Sequence, residues 1–292
     1  MEPFGPRVET RPVFPAQRAS LLALLGSLTP AEWSRPTVCP GWNVHDVTAH
    51  ILHDHLRRLS AGRDGHPGSV LAPDETLPVH LARVNEEFVR VARGVSPAVL
   101  TELLGDAGPR LDAYWSGVDL DAPAVLDVSW ASTDLPSPAW LDVAREYTEF
   151  WVHEQQIRDA TGRPGGDGPE LLGPVVDAFL RALPKALEAE ERAAGTTVRF
   201  DVTGPAGGTW YAVRGPARWH VDRGGAPDEG AAGADAPPAA GGPPAACVTV
   251  DQDTVWRLGS RGITVEQARE RATVAGDPAL AAAATTLLAI IW

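Results

Sequence analysis

Histidine and carboxylate side chains are the groups here whose spacing suggests chemistry. Four of the eight histidines, His45, His50, His53 and His55, fall within one short stretch. A fifth, His153, follows Glu149 by four residues in EFWVHEQ. On a helix, residues at i and i+4 share a face, about 40° apart and roughly 6 Å from each other. Glu149 and His153 can therefore offer a carboxylate oxygen and an imidazole nitrogen to one cation. A third ligand from the histidine-rich stretch would complete a facial set of two histidines and one carboxylate. Such a set suits Zn²⁺ or another divalent first-row metal and leaves coordination positions open for water or substrate.

Taken alone, a Glu-x3-His pair also occurs on solvated helix faces, and periodicity does not choose between the two. Trp140, Ala144, Tyr147 and Trp151 form the clearest apolar stripe of this helix, with Glu149 and His153 almost opposite. Val143, Phe150 and Ile157 nevertheless flank the pair. His50 sits at the edge of its own apolar face, while His53 and His55 point further round, toward solvent.

The elements that position these residues are mostly helical up to residue 194. Phe14–Leu28 reads as a first helix, ended at Thr29-Pro30. After the turn PTVCPGW, Asn43 is a good N-cap, Asp46 occupies N3, and Trp42 and Val47 take the staple positions of a second helix reaching about Ala61. A third helical region covers Glu75–Arg93 and resumes from Ser96-Pro97 to Trp115. Ser137 as N-cap and Pro138 at N1 start the helix carrying Glu149 and His153, which stops at Gly162. Leu171–Ala194 reads as one more helix, bent at Pro184. Long helices with short connections predict an antiparallel bundle.

The pattern changes near Gly195. TVRFDV, TWYAV, ARWHV and ACVTV read as short strands. Between the last two, 20 of the 24 residues from 223 to 246 are Ala, Gly or Pro, which predicts a flexible loop. The fold class is thus α followed by α+β: a bundle over 1–194 and a small α+β domain over 195–292, closed by a helix in DPALAAAATTLLAIIW.

Composition excludes several functions. Of 292 residues, 44 % are hydrophobic and 22 % charged, as in a globular protein. Lys and Arg number 25 against 38 Asp and Glu, a net charge of −13, which repels nucleic acid and anionic membrane surfaces. The apolar end, Leu280–Trp292, is shorter than the ~20 residues that span a bilayer. The first residues, MEPFGPRVETRPVFP, lack the basic and apolar regions of a secretory signal. Cys39 and Cys247 form neither a disulfide framework nor a metal knuckle, which fits a reducing cytoplasm. Cys39 reads as a small structural residue.

The run TPAEWSRPTVCPGWNVHDVTAHIL from Thr29 to Leu52, followed later by REYTEFWVHEQQIRDATGRP, resembles the mycothiol-dependent maleylpyruvate isomerase family of DinB-like metal-binding four-helix bundles. The stretch from Asp253, DTVWRLGSRGITVEQARERATVAGDPALAAAATTLLAII, resembles that family's sterol-carrier-protein-like C-terminal domain. The resemblance implies that His50, Glu149 and His153 bind zinc and that mycothiol is the thiol cosubstrate. It implies cis–trans isomerisation of a maleylpyruvate-like substrate, or thiol transfer. It also implies a functional arginine in the C-terminal domain, for which Arg257, Arg261 and Arg271 are the candidates. One departure follows the pair: many relatives carry Asp near Gln156, a position bearing on substrate or on contacts behind the metal. The competing reading is a metal- or small-molecule-binding protein of the same fold without catalysis, with a lipid carrier role of the C-terminal domain as a third possibility.

Overall fold

The structure, a computed structural model, describes residues 4–125, 130–132, 134–224 and 243–288. A 3-10 turn (Arg11–Val13) leads into α1 (Phe14–Ser27), followed by the short α2 (Pro30–Trp33) and by α3 (Val44–Arg57). The α3 start is encoded locally: the Asn43 side chain accepts from Asp46 N while the Asp46 carboxylate accepts from Asn43 N. The second helix stops short of Ala61, because the chain widens into a π-helical turn at Arg58–Arg63. Next come α4 (Leu77–Ala92) and α5 (Pro97–Ser116), in the predicted places.

The long helix α6 (Ala139–Thr161) starts one residue later than the capping pattern predicts, with Pro138 rather than Ser137 as N-cap. It ends at Gly162, whose φ of 67° is the left-handed conformation that a glycine adopts freely. The helix predicted over Leu171–Ala194 is divided. α7 (Pro169–Leu180) stops at a turn, and α8 (Leu183–Ala186) follows with Pro184 in its first turn, where proline is tolerated rather than bending a continuous helix.

Four strands appear where predicted: β1 (Thr197–Thr203), β2 (Gly208–Arg214), β3 (Trp219–Arg223) and β4 (Ala246–Asp251). The Ala/Gly/Pro loop placed at 223–246 lies for the most part outside the described residues, and its ends belong to β3 and β4. After α9 (Gln252–Gly259) and α10 (Val265–Arg271) comes β5 (Thr273–Gly276), which the sequence reading missed. Its four residues are all exposed, so TVAG carries no alternation of apolar and polar side chains. The closing helix α11 (Pro278–Ala284) is shorter than predicted, and residues 289–292 lie outside the description.

The sheet order is β3-β2-β1-β4-β5, with β1 and β4 parallel and the other pairs antiparallel. Phe200 sits between Trp210 and Val248 in register, and all three are buried. The sheet and bundle share packing. Trp151 on α6 meets Trp256 on α9 edge to face at 5.3 Å. Asp177 on α7 accepts from Arg181 at 2.9 Å and from Trp210 of β2 at 2.8 Å. A Cβ on Gly259 would stand 2.6 Å from the Phe179 ring, so α9 approaches α7 as closely as it does only because this residue has no side chain. Among the described residues, no helix is long and apolar enough to cross a membrane.

Candidate metal centre

α3 buries Val44, Val47, Ile51 and Leu52, which turns its His50–Asp54 edge toward α6. The rotation of α6 is set by two aromatic side chains on its far face. Tyr147 Oη donates to Leu171 O at 2.9 Å, and Trp151 Nε1 donates to Gly166 O at 2.7 Å. Phe150 and Ile157 are buried as well. With those positions occupied, Glu149 and His153 face α3.

The convergence is close. Glu149 Oε1 lies 3.2 Å from His153 Nε2 and 3.5 Å from His50 Nε2. The two imidazoles meet edge to face, centroids 4.7 Å apart. Ligands bound at about 2.1 Å in a tetrahedral arrangement stand roughly 3.4 Å from one another. Both separations from Glu149 match that edge length. The ligand atoms of all three residues lie within 4.8 Å of one another.

The charges also fit a cation. His153 Nδ1 lies 2.7 Å from Gln156 Oε1, an acceptor, so a proton on Nδ1 is held there and Nε2 is the nitrogen that faces Glu149, carrying the second proton until a metal ion takes its place. Among the described residues, Glu149 has no arginine or lysine within 4 Å; its charged-group partners are the two histidines. Burial works against ionisation of Glu149, but the contacts with His153 and His50 outweigh it and hold the carboxyl well below its usual range. Burial likewise opposes charge on His153, and the Cys39 and Glu149 side chains outweigh it in the raising direction. The group is built to hold positive charge, whether a proton or a metal ion.

A second set, His50, His53 and Asp54, shares His50 with the first. Asp54 is already compensated, because Arg57 Nη2 donates to its Oδ1 at 2.9 Å. Burial raises the Asp54 pKa, but His50 and Arg57 bring it down to about 2. A dication beside the Arg57 guanidinium would meet repulsion, so the Glu149 set is the better cation site.

The three residues line a cavity of ≈ 510 Å³ whose walls also include Cys39, Trp42, Arg57, Glu86, Arg145 and Arg261. Trp42, read from sequence as a staple, packs over His50 at 5.2 Å and donates to Glu86 at 2.9 Å. Cys39, read as structural, is half-buried on the cavity wall. His55, expected at the surface, is buried and stacked on Phe150 at 4.4 Å, because α3 is enclosed on more than one side. His53 is half-buried rather than exposed and stacks on Phe88.

The structure separates the three candidate arginines. Arg257 is engaged by Asp159 at 2.7 Å and Asp253 at 2.9 Å, over the Trp256 ring. Arg271 lies 3.8 Å from Asp253. Arg261 alone of the three lines the cavity, on a turn where its φ of 59° is left-handed. Arg57 and Arg145, which reach the cavity from the bundle, were missed because their helices gave no local reason to prefer them.

Residues 14–158 match the family described as the mycothiol maleylpyruvate isomerase N-terminal domain. Two solved structures align with 94 % of this chain over 96 % of theirs. One is a crystal structure of the mycothiol-dependent maleylpyruvate isomerase, at 14 % identity and a TM-score of 0.53. The other is a histidine-to-alanine mutant described under the same name, at 13 % and 0.52. At such identities the likeness establishes the shared fold. No curated protein sequence matches the chain.

Proposed function

Because the chain belongs to the mycothiol maleylpyruvate isomerase family through residues 14–158, we propose that it is a divalent-metal enzyme that uses a low-molecular-weight thiol, with His50, Glu149 and His153 as ligands. The observation that carries this reading is the approach of both histidine Nε2 atoms to Glu149 Oε1, at 3.2 and 3.5 Å, on the wall of a ≈ 510 Å³ cavity. The metal, zinc by preference for this donor set, supplies Lewis acidity that lowers the pKa of a thiol brought to it.

The proposed reaction is cis–trans isomerisation of a maleylpyruvate-like enoyl keto acid with mycothiol as the recycled thiol. Addition of the thiol to the conjugated cis double bond leaves a single bond. Rotation and loss of the thiol then give the trans isomer. Thiol transfer to another electrophile uses the same groups. The chain's own residues bind and orient the substrate. Arg261 is placed to pair with a substrate carboxylate through its planar fork. Arg57 and Arg145 add positive charge to the wall. Trp42 covers His50 and excludes water from that side. In this reading residues 1–194 hold the metal, 195–292 supply the arginine, and the protein works in the cytoplasm on small molecules.

The test is a screen of metal-loaded protein against cis-enoyl keto acids and thiol-reactive electrophiles, with mycothiol present or withheld. Turnover is expected only with thiol. Full turnover in thiol-free buffer contradicts the mechanism. Bound metal with no turnover on any substrate favours a non-catalytic binding role.

A further inference from the structure

Behind His153 lies a contact that the function proposed above leaves unused. The Cys39 thiol donates to Gln156 Oε1 at 3.1 Å, and this is the same oxygen that faces His153 Nδ1 at 2.7 Å. One amide oxygen has two lone pairs and can accept both. The Cys39 S–H, a donor, sets the amide oxygen rather than its NH₂ group on this side, and that oxygen in turn calls for the proton on His153 Nδ1.

Each end of this chain of contacts is fixed. Gln156 stands three residues beyond His153, on the same side of α6. Cys39 is held by its loop: its N–H donates to Thr37 Oγ1 at 3.2 Å, its carbonyl accepts from Trp42 N at 3.1 Å, and Thr37 Oγ1 donates to Trp42 O at 2.8 Å. The thiol therefore reaches Gln156 from a closed turn rather than from a freely rotating segment.

We infer that Cys39 and Gln156 are positioning residues for His153: the loop thiol orients the Gln156 amide, and the amide oxygen fixes the tautomer and ring rotation that aim Nε2 at the ion. The inference rests on the ligand assignment above. Outer partners of this kind commonly change metal affinity by about 10–100-fold. A neutral amide withdraws less of the Nδ1 proton than a carboxylate would, so the imidazole here is a weaker donor than it could be.

Chelator competition with Zn²⁺ and Co²⁺ at one fixed pH, on the full chain without thiol, tests this. The visible spectrum of the Co²⁺ form is the second readout. Gln156→Leu is expected to bind about 10–100-fold more weakly, with a shifted Co²⁺ spectrum. Cys39→Ala is expected to weaken binding by a smaller factor, and Cys39→Ser, which keeps a donor, to restore it. Gln156→Glu is expected to bind more tightly than wild type, and it serves where Gln156→Leu does not fold. Melting curves in chelator should coincide for wild type, Cys39→Ala and Gln156→Glu. Wild-type affinity and spectrum in both Gln156→Leu and Cys39→Ala, with binding lost in His153→Ala, overturns the relay alone. Wild-type binding by His153→Ala overturns the ligand assignment and the relay with it.

Discussion

His50 Nε2 stands 3.5 Å from Glu149 Oε1, although one side chain belongs to α3 and the other to α6. The two helices are brought together by buried apolar side chains on both, and the polar pair is carried along at their shared edge. Three acceptor atoms packed this closely are mutually repulsive unless positive charge lies among them.

Removal of any one ligand should therefore cost most of the metal. His50→Ala, Glu149→Ala and His153→Ala are each expected to lose more than the ~10–100-fold typical of an outer partner. Metal analysis after desalting should find about one equivalent in the wild type, as one three-ligand centre requires, and little in the variants. Unchanged metal content would remove the site.

Affinity for a divalent ion should rise with pH through neutrality. Burial disfavours charge on His153, but Cys39 and Glu149 outweigh it and raise its pKa well above the ordinary value of 6.5. Glu149, held low, is ionised throughout. The metal must displace the His153 proton, so below that raised pKa each added pH unit strengthens binding by up to about tenfold, and the gain ceases above it. Chelator competition across that range checks the slope. A flat profile would contradict it.

Arg261→Ala should impair use of a carboxylate substrate far more than Arg257→Ala. Loss of a charge-assisted contact costs about 1.5–3 kcal/mol, or roughly 10–100-fold in kcat/KM. Arg257 is already committed to Asp159 and Asp253, so its removal should leave kcat/KM near wild type. Steady-state kinetics on an anionic and a neutral substrate separate the two. Equal effects of both variants would refute the assignment.

Arg58→Leu should destabilise the bundle by about 3–5 kcal/mol, because it leaves buried carboxylates undercompensated. Arg58 is 6 % exposed and donates to Asp142 at 2.6 and 2.9 Å and to Glu146 at 2.6 Å. Urea unfolding measures the change. Addition of Glu146→Gln should recover part of it by removing one of the stranded charges, and a double variant no more stable than Arg58→Leu would argue against this account.

Local signals were legible wherever one segment sufficed to produce them. The Asn43–Asp46 box starts α3, Gly162 ends α6, and the strands TVRFDV and ACVTV stand where alternation put them. β5 was not legible, since four exposed residues leave no pattern and the strand is held by pairing with β4 alone. The burial of His55 was hidden for a related reason: it depends on Phe150, a residue of another helix.

The sequence by itself determined the helical register, and with it the joint placement of Glu149 and His153 on one face, because a helix repeats every 3.6 residues whatever surrounds it. Periodicity left the third ligand open among His45, His50, His53 and His55, and family resemblance pointed to His50; only the tertiary structure decided that this face meets α3, with the His50 nitrogen 3.5 Å from Glu149, and that Arg261 rather than Arg257 or Arg271 reaches the cavity. Those choices follow from which apolar surfaces bury one another between segments far apart in the chain, and backbone periodicity carries no record of that.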